Sequence, residues 1–293
     1  MTLRWSFVSL GSLLLLVCAC GKNIELGRDL AHNSADSSAG GSTQVSQNSD
    51  AQLPCTITPC GGKIYACGDC LDNDADGLID STDPECLGPC DNTEDSYFNG
   101  IPGQNNAPCK QDCYFDQDTG SGNDDCHWSQ KCDPLSVSPD YPPSGDSQCS
   151  YDVNASIPGT SATCTDLQSQ QSATCLSTCL PVTPNGCDCF GCCELPAGGA
   201  NYVWIGSTSG GVGSCDEAHL ADPLLCRPCT PVTSCFNDCN PCEICAGRPA
   251  PAPDCDLGTY AQCARGQQAC GLPGQGACSV QEYCVGGCCV VAP

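Results

Sequence analysis

The chain has 293 residues, 34 of them cysteine, with 34 acidic side chains against nine basic ones and a formal net charge of −25. That balance excludes nucleic acid as a partner, because no basic stripe exists to neutralise phosphates. Aromatics make up only 5%, while glycine and proline number 32 and 23, so crosslinks have to replace much of an ordinary apolar core.

In chain order, Arg4 precedes an apolar run from Phe7 to Val17, and the stretch ends in Val17-Cys18-Ala19-Cys20-Gly21. These are the charged, apolar and small-residue regions of an export signal. The run is shorter than the roughly 18 to 20 apolar residues a membrane span needs. Val17, Ala19 and Cys20 resemble the lipobox of bacterial lipoproteins. The resemblance implies a signal peptide over 1–19, a diacylglycerol on the Cys20 thiol, and a lipid anchor in the membrane. Parity agrees: taking Cys18 and Cys20 from 34 cysteines leaves 32, an even number that can pair completely. Cleavage before Cys18 leaves an odd number, and an ordinary secretory peptide is the further alternative. Gly21 after the lipobox cysteine points, by the same resemblance, to the outer membrane or cell surface.

Residues 20–54 form the lipidated cysteine and a tether rich in Ser, Asn, Gln and Gly, with no aromatic residue and a mean reach on the order of 30 Å. The other 32 cysteines all fall between Cys55 and Cys289. Such density in an exported chain marks a small disulfide-rich fold, mostly irregular, with short strands, few helical turns and several small cysteine-stapled modules. Composition divides it into a calcium-loop module over 55–100, an acidic turn-rich module over 101–163, a module with a short helix and strand over 164–214, and a C-terminal module over 215–293. Within the third, the stretch from Thr165 to Cys179 lacks Gly and Pro and suggests helical turns. The run Ala200 to Gly206 reads as a strand. Two look-alike stretches, Cys189-Phe190-Gly191-Cys192-Cys193 and Cys284-Val285-Gly286-Gly287-Cys288-Cys289, hint at duplication.

The sharpest motif is Asp72-Asn73-Asp74-Ala75-Asp76-Gly77-Leu78-Ile79-Asp80-Ser81-Thr82-Asp83. Asp72, Asp74, Asp76, Asp80 and Asp83 occupy positions one, three, five, nine and twelve, with Gly77 at the sharp turn and the Leu78 carbonyl at seven. A hard cation such as calcium takes six to eight oxygens, which this alternation supplies. The stretch resembles the calcium loops of dockerins and thrombospondin type 3 repeats, which also end in aspartate. It covers little of the chain, and Pro84-Glu85-Cys86 follows where a dockerin has a helix. Expected affinity is in the extracellular range of about 0.1 to 1 mM. With the following Asp-Pro-x-Cys, the pattern also resembles cysteine-rich lipoproteins of myxobacteria. A second acidic loop with Asp116, Asp118, Asp124 and Asp125 is a further candidate metal site, weighed against a plain glycine-rich turn.

Other chemistries find less footing. Cys226-x-x-Cys229 and Cys242-x-x-Cys245 approach a zinc spacing, but an oxidising compartment favours disulfides. His127 and His219 sit in no nucleophile motif, and Gly206-Ser207-Thr208-Ser209-Gly210 has threonine where a nucleophile elbow needs serine. The expectation is therefore a non-enzymatic, calcium-binding adhesion, interaction or structural module of the cell envelope, with an extracellular protein or glycan as ligand. Copper or zinc capture by cysteine thiolates and a secreted hydrolase are the alternatives.

Overall fold

Where glycine, proline and cysteine punctuate every few residues, long helices and wide sheets have no room to nucleate, and local turns locked by sulfur take their place. The computed structural model describes residues 55–99, 109–116, 124–135, 149–241, 243–248, 250, 255, 263, 266–271, 274–285 and 287–291. Cys20, the tether and Asp118 lie outside the described residues. The disulfide-rich, irregular fold expected from composition is what these residues build. Four two-stranded antiparallel ladders, β1–β2 (Lys110–Gln111 with Trp128–Ser129), β3–β4 (Cys192–Glu194 with Tyr202–Trp204), β5–β6 (Thr208–Ser209 with Val212–Gly213) and β7–β8 (Glu282–Val285 with Cys288–Val291), join two helices of six residues each. No helix of the described residues is long and apolar enough to cross a membrane.

The expected helix from Thr165 to Cys179 is two helices, α1 (Cys164–Ser169) and α2 (Ala173–Thr178). Capping explains the split. Thr163 and Asp166 form a capping box at the start of α1, Gln170 is extended, and the Ser172 side chain then accepts from Cys175 N to begin α2. The expected strand contracts to β4, whose Val203 and Trp204 sit opposite Cys193 and Cys192 of β3. In the Gly206 to Gly210 stretch, the chain makes the β5–β6 hairpin. Gly210 and Gly211 form its two-residue turn at φ 63° and 85°, a primed turn that matches strand twist. The two look-alike cysteine motifs share a backbone: Gly191 and Gly287, at φ 83° and 82°, each precede the cysteine pair that opens a strand.

Fourteen bridges join pairs of described cysteines. The first module closes on itself through Cys55–Cys70, Cys60–Cys90 and Cys67–Cys86. Beyond it the proposed boundaries are crossed. Cys113–Cys179, Cys126–Cys175 and Cys132–Cys164 staple the second block to α1 and α2, and Cys192–Cys229 ties the third to the fourth. Residues 52–293 accordingly cluster as one unit. No C-x-x-C pair named above is bridged internally: Cys226 pairs with Cys215, Cys229 with Cys192 and Cys245 with Cys239.

Among the described residues, pairing departs from completeness at one place. Cys189 and Cys235 are buried thiols. They lie opposite one another beside the Asp188↔Phe236 bridge, with the Cys189 Sγ 3.4 Å from the Cys235 carbonyl oxygen, and burial pushes the Cys235 thiol up.

The core is made of sulfur and a few large side chains. Trp128 stacks on Phe190, with ring centroids 6.1 Å apart, and both pack with Ile157, Leu167 and Val232 among six cysteines of the bridges above and the two thiols. A second cluster gathers Leu87, Tyr97, Leu195, Val203 and Ile205. Each fully buried side chain of this kind contributes about 1.5–3 kcal/mol, comparable to the roughly 2–4 kcal/mol of one bridge. Asp188 fastens the first cluster: its carboxylate accepts from the N–H groups of Phe190, Cys192 and Val232 at 2.9, 2.8 and 2.7 Å. Burial lifts its pKa to about 7, and those three donors oppose the lift.

Candidate metal centres

The loop from Asp72 to Asp83 curls because each early aspartate caps the backbone ahead of it. Asp72 accepts from Ala75 N at 2.7 Å and Gly77 N at 3.1 Å, Asp74 from Asp76 N at 3.1 Å, and Asp76 from Leu78 N at 2.7 Å. Ala75 and Gly77 take positive φ, 70° and 99°, to close the turn. One carboxylate oxygen each of Asp72, Asp74 and Asp76 then lies within 4.8 Å of the others. Like charges held this close repel, and Asp74 is raised above its ordinary pKa by burial first, with Asp76 and Asp72 adding to the rise.

The later positions divide. Asp83 is 3% exposed. One of its oxygens accepts from Glu85 N at 2.7 Å, and the other, Oδ2, is buried with no hydrogen-bond partner among the described residues. Burial lifts its pKa to about 7, with Glu85 and Asp76 contributing repulsion. Asp80 instead turns back: its carboxylate accepts from Cys70 N at 3.1 and 3.3 Å, and burial raises it to about 6. It anchors the loop to the Cys55–Cys70 bridge rather than converging with Asp72, Asp74 and Asp76. Leu78 is the exposed rim residue of the turn.

Spacing alone gave no sign of Glu94. It is 2% exposed and accepts from Asn73 N at 2.6 Å and Asp80 N at 2.9 Å, so one carboxylate clamps both ends of the loop from beneath. Glu85, pushed up to about 7 by burial and its acidic neighbours, receives the N–H of Glu217 at 2.8 Å and ties this region to residues far along the chain.

The second acidic loop is assembled differently from its expected form. Asp116 and Asp124 place oxygens within 4.8 Å of one another. Asp125 does not join them. It is exposed, contacts His127 Nε2 at 3.0 Å, and is held below its ordinary pKa by Ser172 and His127. In its place stands Asp112, which is 4% exposed and raised by burial and by the charge of Asp124 beside it. Nothing in the local spacing of Gln111-Asp112-Cys113 marks it.

Several sulfur atoms also lie near carboxylates, those of Cys55 and Cys70 by Asp80 and of Cys67 and Cys86 by Glu94. All four are in disulfides, so these groups offer no thiolate. His219 Nδ1 contacts Asp216 at 2.7 Å. Among the described residues, no hydroxyl or thiol contacts the ring of His127 or His219. No family model matches this chain, and no curated protein or solved structure matches it either.

Proposed function

We propose that the chain is an exported, Cys20-anchored, calcium-stabilised module of the cell envelope, serving adhesion, interaction or structure toward an extracellular protein or glycan. The observation that carries the calcium reading is the convergence of Asp72, Asp74 and Asp76, joined in the same twelve-residue stretch by the buried, unpartnered Oδ2 of Asp83. Carboxylates gathered without a counter-charge strain the loop, and a hard cation taking six to eight oxygens relieves it. Asp72, Asp74, Asp76 and Asp83 with the Leu78 carbonyl would hold the ion, and Asp80 would brace the loop. Thiolate capture of copper or zinc asks for many free thiols, whereas the described residues hold two, both buried.

Calorimetric titration of calcium into the chelated, exported protein tests this reading. Wild type is expected to bind with a dissociation constant of about 0.1 to 1 mM, and Asp72→Ala with Asp76→Ala to weaken that event at least 100-fold. Unchanged affinity in the double variant overturns it. The anchor is tested by intact mass: the mature chain begins at Cys20 with a diacylglycerol that Cys20→Ser lacks, and an unlipidated mature chain rejects the anchor.

A further inference from the structure

Two aspartates meet inside the second block because of how its hairpin is sewn. The ladder pairs Gln111 with Trp128, which brings the residue after β1 and the residues before β2 to one end. Each arm is then fixed to one face of α2 and its C-cap, Cys113 by Cys179 and Cys126 by Cys175. The carboxylates just ahead of these knots in sequence, Asp112 and Asp124, are left 4% and 2% exposed.

Their oxygens are largely unsatisfied. Asp124 Oδ1 accepts from Cys126 N at 3.1 Å, but Asp112 Oδ1, Asp112 Oδ2 and Asp124 Oδ2 are buried with no hydrogen-bond partner among the described residues. An interior carboxylate in this condition costs several kcal/mol unless it gains a proton or a counter-ion. A proton shared between the two would satisfy one contact and leave other oxygens bare. A cation satisfies all of them at once, and Asp116, half-buried and within 4.8 Å of Asp124, adds a third carboxylate. The donor set is oxygen only: the Cys113 sulfur is in a disulfide, and the ring of His127 is turned to Asp125. Both Asp112 oxygens are available for the two-oxygen grip that calcium accepts and magnesium and zinc seldom use.

We propose that Asp112, Asp116 and Asp124 hold a second, interior divalent cation of the calcium type, independent of the loop at 72–83. Disulfides on both arms hold its ligands in place before the ion arrives, so it binds more tightly than the exposed loop.

Native mass spectrometry and calorimetry of the full exported chain, chelated and then titrated with calcium alone, count the ions. Wild type should take two per chain. Asp72→Ala with Asp76→Ala should keep one, and adding Asp112→Asn or Asp124→Asn should weaken that one at least tenfold. The disulfide count by alkylation and mass confirms that each variant is folded. A single wild-type ion lost in the loop variant overturns the interior site and leaves the loop standing. A single ion lost only in Asp112→Asn upholds the interior site and removes the loop. No bound calcium in wild type rejects both, and a retained ion indifferent to Asp112→Asn and Asp124→Asn rejects the interior site.

Discussion

The two acidic centres solve one problem by opposite routes. At 72–83, aspartates at alternate positions within a dozen residues converge because each caps the next turn. At Asp112 and Asp124 the carboxylates come from separate arms and meet only because bridges to Cys179 and Cys175 hold those arms to a common helix. The first centre is local and open to water. The second is non-local and interior, and its existence depends on oxidation. Local convergence is thus written in spacing, whereas convergence made by crosslinks is written in pairing.

The sharpest way to break this contrast is to cut a crosslink. Replacing Cys113 and Cys179 by serine opens a bridge of sequence separation 66, worth about 4 kcal/mol by loop-closure entropy. Denaturant unfolding should register a loss of that order, and interior calcium binding should fall with it while the 72–83 loop still binds. Equal damage to both centres would erase the distinction.

Glu94→Gln works on the other side. It keeps the side-chain shape but removes one charge-assisted acceptor from beneath the loop, and stability should drop by about 1–3 kcal/mol. Calcium affinity at 72–83 should fall by more than that at Asp112, a ratio that calorimetry measures directly.

A pH series separates the ion from its ligands. In the chelated protein, Asp80, Asp83 and Glu85 hold their protons up to about 6, 7 and 7, chiefly through burial. In the unfolded chain, carboxylates ionise near pH 4. Between those limits the folded state binds more protons, so its stability is full below about pH 4 and falls as pH rises toward 7. Thermal midpoints in chelator should decline from pH 5 to 7.5. Saturating calcium should flatten or reverse the trend, and a decline of equal size with calcium present would show that the ion does not reach these groups.

The smallest effect concerns sulfur. Alkylation should find Cys189 and Cys235 protected in native protein and reactive in denaturant. Rapid native labelling of both would place them at the surface instead.

The sequence reading reached the fold class because cysteine density and the scarcity of long apolar segments leave few other solutions. It reached Asp72, Asp74 and Asp76 because their geometry depends on near neighbours alone. Asp80 escaped it: the residue has a ligand's position, yet Cys70 N captures its side chain, and Cys70 is placed by a bridge to Cys55. Asp112 escaped for the same reason, and Asp125 was read into the second centre because nothing in its spacing foretells that His127 holds it outside. The module boundaries at 163 and 214 followed composition, whereas the disulfides across them follow spatial contact, which composition does not encode.

The nested bridges have a mechanical consequence. Under tension between the chain ends, load leaves the backbone at Cys113 and re-enters at Cys179, bypassing a contour of 66 residues, about 230 Å at roughly 3.5 Å per residue. Near the start, Cys55–Cys70 and Cys67–Cys86 let the pull skip the stretch from Asp72 to Asp83. If the chain is anchored as proposed, drag on it is carried by sulfur, while the 72–83 loop and the hairpin strand that follows Asp124 sit in slack segments that force alone does not stretch.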